Sequence, residues 1–194
     1  GTTVGALAGF HGGIVDNLLM RTTDFFRSFP SLFVLILLSA LLRETNLKLM
    51  NNSVVMIVVV IGILSWMLVA RVVRASFLSL REKEFVMAAR AVGAGSGRII
   101  VRHMLPNTLG SVIVEATLEV GYAILTESGL SFLGFGVQPP TATWGNMLAN
   151  AQERMVKYPW MALFPGLMIC LTTISINYIG DGLRDALDPR KTLG

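Results

Sequence analysis

The sequence predicts an all-α protein with several membrane-spanning helices, and three observations support that fold class. The 194-residue chain is 53% hydrophobic. Only 14% of its residues are charged, against about 25% in a typical soluble domain. The charged residues are clustered, and two of the uncharged stretches between them exceed 20 residues, the length that a helix needs to cross a bilayer core of about 30 Å. Such a composition also excludes a disordered chain.

The uncharged stretches give the positions of the predicted helices. The opening segment, residues 1–13, is apolar and Gly-rich but too short to span a membrane alone. Because it is about half a span and Gly1 stands where an initiating Met is expected, we expect preceding residues to complete it. The next stretch can extend back to Thr23 if the Arg27 side chain reaches the membrane surface. Including that one, the predicted full spans are residues 28–42, 49–70, 108–133 and 158–180.

Lysine and arginine are divided unequally between the two sides of the membrane. If consecutive spans alternate in direction, twelve of the sixteen fall on one side. The other side receives Arg43, Lys48, Arg154 and Lys157. The positive-inside rule therefore predicts a cytoplasmic C-terminus and a cytoplasmic loop at 71–107. The net charge of +4 reflects this orientation. It does not indicate a nucleic-acid partner, because no basic patch interleaved with aromatic residues accompanies it.

The loop at 71–107 has the pattern of a helix, a Gly-rich turn and a second short amphipathic helix that ends at Pro106. The first helix carries four apolar residues at i, i+3, i+4 and i+7, which places them on one face. They are Phe85, Ala88, Ala89 and Val92. The two small alanines would let another protein surface approach closely. A helix lying on the inner leaflet would show the same periodicity, so the pattern leaves both interpretations open.

Four blocks of sequence carry a family resemblance. The loop combines Ala88-Ala89 with Gly93 and with RHMLPN at 102–107. The other blocks are SFPSL at 28–32, ESGLSFLGFGVQPPTATWG at 127–145 and NYIGDGLRDALDPR at 177–190. The loop resembles the EAA loop of importer-type ABC-transporter permeases. In order, the blocks are similar to the C-type inner-membrane subunits of dipeptide, oligopeptide and nickel importers. The family's glutamate before the alanine pair is replaced here by Met87, and Glu84 lies one turn earlier.

The resemblance implies a single type I ABC-importer transmembrane domain over residues 1–194, with about five of six transmembrane helices present and the first lying before Gly1. It implies that residues 75–107 form the coupling loop, which transmits movement from ATPase subunits. The implied coupling residues are Phe85, Ala88, Ala89, Gly93, His103, Leu105 and Pro106.

The resemblance also implies partners and a substrate class. The partners are a second, B-type permease subunit, two ATPase subunits, an extracytoplasmic substrate-binding protein and membrane lipid. The location is the cytoplasmic membrane of a bacterium or archaeon. The expected substrates are dipeptides or oligopeptides, with nickel and glutathione as alternatives. A channel or regulatory membrane protein without an ATPase partner is the competing class, and it would not need the coupling loop.

The chain itself is not expected to be an enzyme or to bind a cofactor. It has no G-x-x-x-x-G-K-[ST] phosphate loop, so ATP and Mg²⁺ are expected in the partner ATPase subunits. GAGSG at 93–97 is Gly-rich but lacks the lysine. His11, His103 and Cys170 lie far apart in the sequence, so they indicate no catalytic or metal site.

Three glutamates lie in or beside the predicted span 108–133. Glu115 and Glu119 are four residues apart and share a helix face, and Glu127 falls about 80° from Glu119. Acidic residues inside a membrane are costly and often functional. They are therefore candidates for a translocation path that contacts a peptide's amino end or a divalent cation. Local pairing or capping is the competing, structural interpretation.

Two further segments are candidate contact surfaces. Residues 134–161 form the longest predicted external segment, with Trp144 and Trp160 at interfacial depth, and they are expected to dock the binding protein. Near the C-terminus, charged residues recur at i, i+3 and i+4, which predicts local pairing or an additional ATPase contact. They are Asp181, Arg184, Asp185, Asp188 and Arg190.

Overall fold

The computed structural model describes residues 1–45 and 52–187, and within these ranges every regular element is helical. The predicted all-α class is therefore confirmed. Lys48, residues 49–51 of one predicted span, Asp188 and Arg190 lie outside the described residues. The helices are α1 Thr2–His11, α2 Gly13–Arg27, α3 Ser31–Glu44, α4 Ser53–Arg81, α5 Glu84–Ala91, α6 Ser96–Phe132, α7 Trp144–Ala151 and α8 Trp160–Leu187.

Three of the described helices, α4, α6 and α8, are each long and apolar enough to cross a membrane. The pair α2 and α3 meets the same test only when the two are taken together. Counting that pair as one span gives the predicted four, with α1 as a partial segment. The extension of this stretch back to Thr23 does not form one uninterrupted helix. Pro30 caps α3 and restricts Phe29 to extended conformations, so α2 ends at Arg27 and a new helix starts at Ser31.

Helix α4 continues beyond the predicted end of its span at Ala70 to Arg81. Arg71 and Arg74 thus lie on a helix continuous with the span, and each forms an ion pair with an aspartate of α2. Arg74 binds both carboxylate oxygens of Asp16, with 2.6 Å from Nη2 to Oδ2, and Arg71 binds Asp24. Bidentate pairing of this kind fixes geometry as well as charge. The first three turns of the predicted cytoplasmic loop are therefore an extension of the membrane helix.

The predicted helix end at Pro106 is also wrong. Helix α6 begins at Ser96 and runs through Pro106 to Phe132. Its stretch Ile99–Met104 is π-helical, and the Leu105 N–H donates to the Ile100 carbonyl five residues earlier. A proline in a regular α-helix would clash with the carbonyl four residues before it. The wider π-helical turn accommodates the ring, so the helix continues.

The chain forms two compact units, each with its own apolar core. The first contains residues 1–28, 65–117 and the described residues from Gly180. Its core consists of Ala6, Phe10, Val73, Phe77, Val86, Ala89, Ile99 and Met104. The second unit contains residues 29–64 and 118–179. Its core consists of Leu35, Met56, Ile57, Val60, Leu130 and Val137.

In the first unit α1 packs against α4 through glycines. Gly1, Gly5 and Gly9 are spaced by four residues, so they form one stripe along α1. A Cβ atom built on Gly5 would lie 2.8 Å from the Val73 Cβ and 3.0 Å from the Arg74 nitrogen. Small residues at this spacing let two helix backbones approach closely in a membrane. The Gly-rich composition of residues 1–13 is visible in the sequence, but this interface with α4 is not.

Candidate functional site

The candidate coupling segment begins with α5 and its closing turn. Helix α5 starts at Glu84, whose carboxylate in the first turn complements the helix dipole. At its end Gly93 has φ +80°, the Gly93 N–H donates to the Arg90 carbonyl at 2.9 Å, and the Ala94 N–H donates to the Ala89 carbonyl at 3.0 Å. These two bonds define a Schellman motif, which terminates the helix and favours glycine at the left-handed position. The predicted Gly-rich turn is therefore present, and its geometry explains Gly93.

The apolar residues of α5 are divided between two faces. Val86 is 0% exposed and Ala89 is buried, and both belong to the core of the first unit. Phe85, Ala88 and Val92 are exposed, with Val92 at 85%. Ala89 lies between Phe85 and Val86 around the helix, about 40° from the first and 60° from the second, and it is buried with Val86. It therefore does not share the exposed face of the other three, and its role in coupling stays a prediction.

The remaining predicted coupling residues follow the turn, on the first part of α6. His103 is half-buried, and its backbone carbonyl accepts a hydrogen bond from Asn107 Nδ2 at 2.6 Å. Leu105 packs against the core of the first unit, and Pro106 is exposed. The structure thus brings Leu105 and Ala89 to the same core, whereas Pro106 does not face it.

The three candidate glutamates of α6 are half-buried. Glu115 and Glu119 lie one turn apart, as predicted. Glu127 has a local structural partner: Ser131 Oγ donates to Glu127 Oε1 at 2.6 Å and accepts from the Val137 N–H at 3.0 Å. This arrangement matches the structural interpretation of Glu127, because the carboxylate orients the hydroxyl that satisfies a buried backbone N–H.

We expect Ser131→Ala to destabilise the protein, because it leaves the buried Val137 N–H without its acceptor. The cost of such an unsatisfied group is about 1–3 kcal/mol. Thermal unfolding of the purified full-length protein in detergent measures it. The control is Ser175→Ala, which removes an exposed hydroxyl bonded to the Leu171 carbonyl one turn earlier. Equal midpoints for the two variants would contradict the role assigned to Ser131.

The predicted external segment 134–161 is ordered by hydrogen bonds within the second unit. Arg43 Nη2 donates to the Gly136 carbonyl and the Gln138 N–H donates to Ser53 Oγ, both at 3.0 Å. Thr143 caps α7 by accepting from the Asn146 N–H at 3.2 Å. Beyond α7, residues 152–160 are all exposed. The segment therefore combines a fixed base with an accessible surface.

The C-terminal charged cluster is described only in part. Asp181, Arg184 and Asp185 are exposed on the last turns of α8. Asp188 and Arg190 lie outside the described residues, so pairing across the cluster stays a prediction. Sequence reasoning also missed the pairs Asp16–Arg74 and Asp24–Arg71. The available signal was the presence of two acids and two arginines at helical spacings in apolar surroundings.

A match to a known family gives the class of transport protein to which this helical membrane chain belongs. The sequence model described as "Binding-protein-dependent transport system inner membrane component" matches residues 1–193. The chain belongs to this family, whose members are multi-pass inner-membrane transport subunits.

Individual relatives of the chain are named for peptide transport. The chain is similar to the oligopeptide transport system permease protein OppC of Haemophilus influenzae, with 45% identity over 190 residues, 98% of this chain and 58% of the relative. It is similar to the dipeptide transport system permease protein DppC of Alkalihalophilus pseudofirmus, with 44% identity over 190 residues, 98% of this chain and 60% of the relative. The Escherichia coli OppC is 44% identical over 179 residues, 92% of this chain and 57% of the relative. The chain spans about three fifths of the length of the curated relatives it matches.

Proposed function

We propose that the chain is the permease subunit of an ATP-driven, binding-protein-dependent importer of dipeptides and oligopeptides. The family membership and the peptide-transport names of the relatives support this function. The observation that carries it is the exposed apolar face of α5, consisting of Phe85, Ala88 and Val92, next to a helix-terminating turn at Gly93. An exposed apolar face on a short helix between two membrane spans is suited to docking another protein.

The proposed partners contact opposite sides of the membrane. Two ATPase subunits, which bind ATP and Mg²⁺, dock at the cytoplasmic side, where one of them contacts the exposed face of α5. A B-type permease subunit completes the translocation path, and lipid surrounds the spans. A substrate-binding protein docks on the segment 134–161. The distribution of lysine and arginine supports this orientation, with the C-terminus in the cytoplasm of a bacterial or archaeal cell.

The buried side of α5 would transmit movement of the ATPase subunits to the membrane spans. Val86 and Ala89 pack in one core with Phe77 of α4 and Met104 of α6. Both α4 and α6 span the membrane, so a displacement of α5 by the ATPase subunits reaches two spans through rigid packing. Protein interiors are close-packed and transmit such displacements. ATP binding then changes the gate because the docked face makes different contacts in the two states.

Met87 stands where the family pattern has a glutamate, so the anionic contact of that glutamate is missing at this position. We propose that Glu84 supplies the anionic contact instead. Glu84 and Met87 are three residues apart, so they lie on the same side of α5, and both are exposed. Glu84 would therefore meet a cationic side chain of the ATPase subunit one turn away from the usual position.

The translocation path is assigned to Glu115 and Glu119, whose shared helix face and half-buried state suit contact with a peptide's amino group. Glu127 acts through Ser131 and is not assigned a substrate contact. Nickel and glutathione are the alternative substrates. Uptake of either in preference to dipeptides and oligopeptides, measured in proteoliposomes with the cognate binding protein, would replace the proposed substrate class.

Disulfide cross-linking tests both the docking face and the orientation. In a Cys170→Ser background, Val92→Cys is expected to cross-link to cysteines introduced on the ATPase subunits. The matched variant is Val156→Cys, because Val156 is 94% exposed and lies in the segment 134–161. We expect Val156→Cys to cross-link to the binding protein and not to the ATPase subunits. Cross-linking of Val156→Cys to the ATPase subunits, or of Val92→Cys to the binding protein, would contradict the proposal.

A further inference from the structure

A basic pocket of about 410 Å³ lies in the first unit, between the ends of α1 and α4 and the turn that joins α5 to α6. Its apolar part includes Phe10 and Ile99. The polar residues that line it are His11, Arg81, Arg90 and Ser96. The volume falls within the range of about 300–1,000 Å³ that small-ligand sites occupy.

The two guanidinium groups of this pocket have no ion pair within the described part of the chain. Arg90 lies over the Phe10 ring, 5.4 Å from its centroid, and this contact holds it at the pocket. Asp16 lies near Arg81, but both of its carboxylate oxygens are already bound by Arg74. As far as the described residues show, the pocket presents two positive charges and a hydroxyl donor without a matching carboxylate, which is the environment that a phosphate group requires.

The position of the pocket indicates the source of that phosphate. Arg81 ends α4 three turns beyond the predicted end of its span at Ala70, and His11 ends the apolar helix α1, so the pocket lies at the predicted cytoplasmic ends of both helices. Leu7 is exposed and lies one turn before His11 on the same face of α1, and Ile14 of α2 is 87% exposed. An exposed apolar surface thus adjoins a basic pocket, which is the arrangement that accommodates an acyl chain and its headgroup together.

We propose that this pocket binds the phosphate of an anionic phospholipid from the cytoplasmic leaflet, on the orientation proposed above. Arg81 and Arg90 bind the phosphate oxygens, and Ser96 adds a hydroxyl donor. Arg90 belongs to α5 and Arg81 to α4, so an occupied pocket connects the coupling segment to a spanning helix through the lipid. The binding site is separate from the exposed face of α5, since its residues are not those of the docking face.

The test uses the full-length transporter complex in nanodiscs of phosphatidylcholine with a minority of spin-labelled phosphatidylglycerol or spin-labelled phosphatidylcholine. We expect an immobilised, saturable spectral component for phosphatidylglycerol only. Two positive charges near an anionic lipid contribute about 1 kcal/mol each, so Arg81→Gln with Arg90→Gln should weaken this component about 30-fold. The charge-matched control is Arg98→Gln with Arg102→Gln, because both arginines are exposed and neither lines the pocket.

The outcomes separate the occupants. Loss of the immobilised component in the pocket variant, with retention in the control, supports the proposal. An equal loss in both variants would overturn it, because the lipid would then respond only to net charge. Full displacement of the component by millimolar inorganic phosphate would assign the pocket to free phosphate and overturn the lipid source. Appearance of the component only after removal of the ATPase subunits would assign the pocket to an acidic partner residue and overturn the proposal as well.

Discussion

Replacing both Gly5 and Gly9 by alanine is expected to separate α1 from α4 and to destabilise the protein. The Cβ at Gly9 would lie 2.5 Å from the Phe77 Cβ and 2.8 Å from the Arg74 carbonyl oxygen. The contacts at Gly5 also involve the backbone of α4. Backbone atoms cannot rotate away as a flexible side chain does, so the helices must move apart. Overpacking of this kind costs about 1–3 kcal/mol at each site.

The matched control for this pair is Gly62→Ala, which lies within α4. A Cβ at Gly62 meets nothing within 4 Å, so the substitution should be neutral or stabilising by up to about 1 kcal/mol through helix propensity. Thermal unfolding of the full-length protein in detergent measures the stability of the double variant and of the control. The double variant should lower the free energy of unfolding, whereas Gly62→Ala should leave it unchanged or raise it. A Gly5→Ala, Gly9→Ala protein as stable as the Gly62→Ala protein would show that the α1–α4 contact does not depend on glycine.

Replacing Gly93 by valine is expected to uncouple ATP hydrolysis from peptide uptake while leaving membrane insertion intact. The φ of +80° at Gly93 is strained for any residue with a Cβ by about 1–2 kcal/mol, and valine is among the least tolerant. Space is not the cause, because a Cβ there meets nothing within 4 Å. The valine should therefore open the Schellman turn and tilt α5, which displaces the docking face without affecting the spans.

Two neighbouring substitutions control for this effect. Gly95→Val tests the same bulk two residues away, where φ is −66° and any residue is tolerated. Gly93→Asn tests the same position with a residue that adopts left-handed conformations more readily. In proteoliposomes we expect Gly93→Val to lower dipeptide uptake about tenfold, the consequence of about 1.4 kcal/mol, with ATP hydrolysis retained. Gly95→Val and Gly93→Asn should keep most of the uptake. Normal uptake by Gly93→Val would refute the role of the turn.

The elements that could be predicted from the sequence are those set by local composition. Apolar stretches with few or no charges located α4, α6 and α8, because burying a charge in lipid is costly regardless of what packs nearby. The Gly turn after α5 was predictable because left-handed backbone conformations are almost confined to glycine. The family resemblance predicted a coupling loop at 75–107 but did not determine which of its side chains are exposed.

The errors arose where a neighbour outside the local pattern decides the outcome. Ala89 has the spacing of the predicted contact face of α5, but it packs with Val86 in the core that contains Phe77 of α4. Pro106 ordinarily ends a helix, yet the π-helical turn before it lets α6 continue. For Glu127 the sequence left a path residue and a local structural role as alternatives, and only the packed structure supplies the local partner, Ser131.

The sequence by itself determined which segments enter the membrane, the unequal distribution of positive charge and the site of the turn at Gly93. These depend on transfer free energy and on backbone conformation, which are properties of single residues and short windows. The tertiary structure alone decided that the glycines of α1 form an interface, that Asp16 binds Arg74, and that Arg81 and Arg90 share a pocket. Each of these depends on residues more than fifty positions apart or on elements joined by turns, and only folding brings such groups within contact distance.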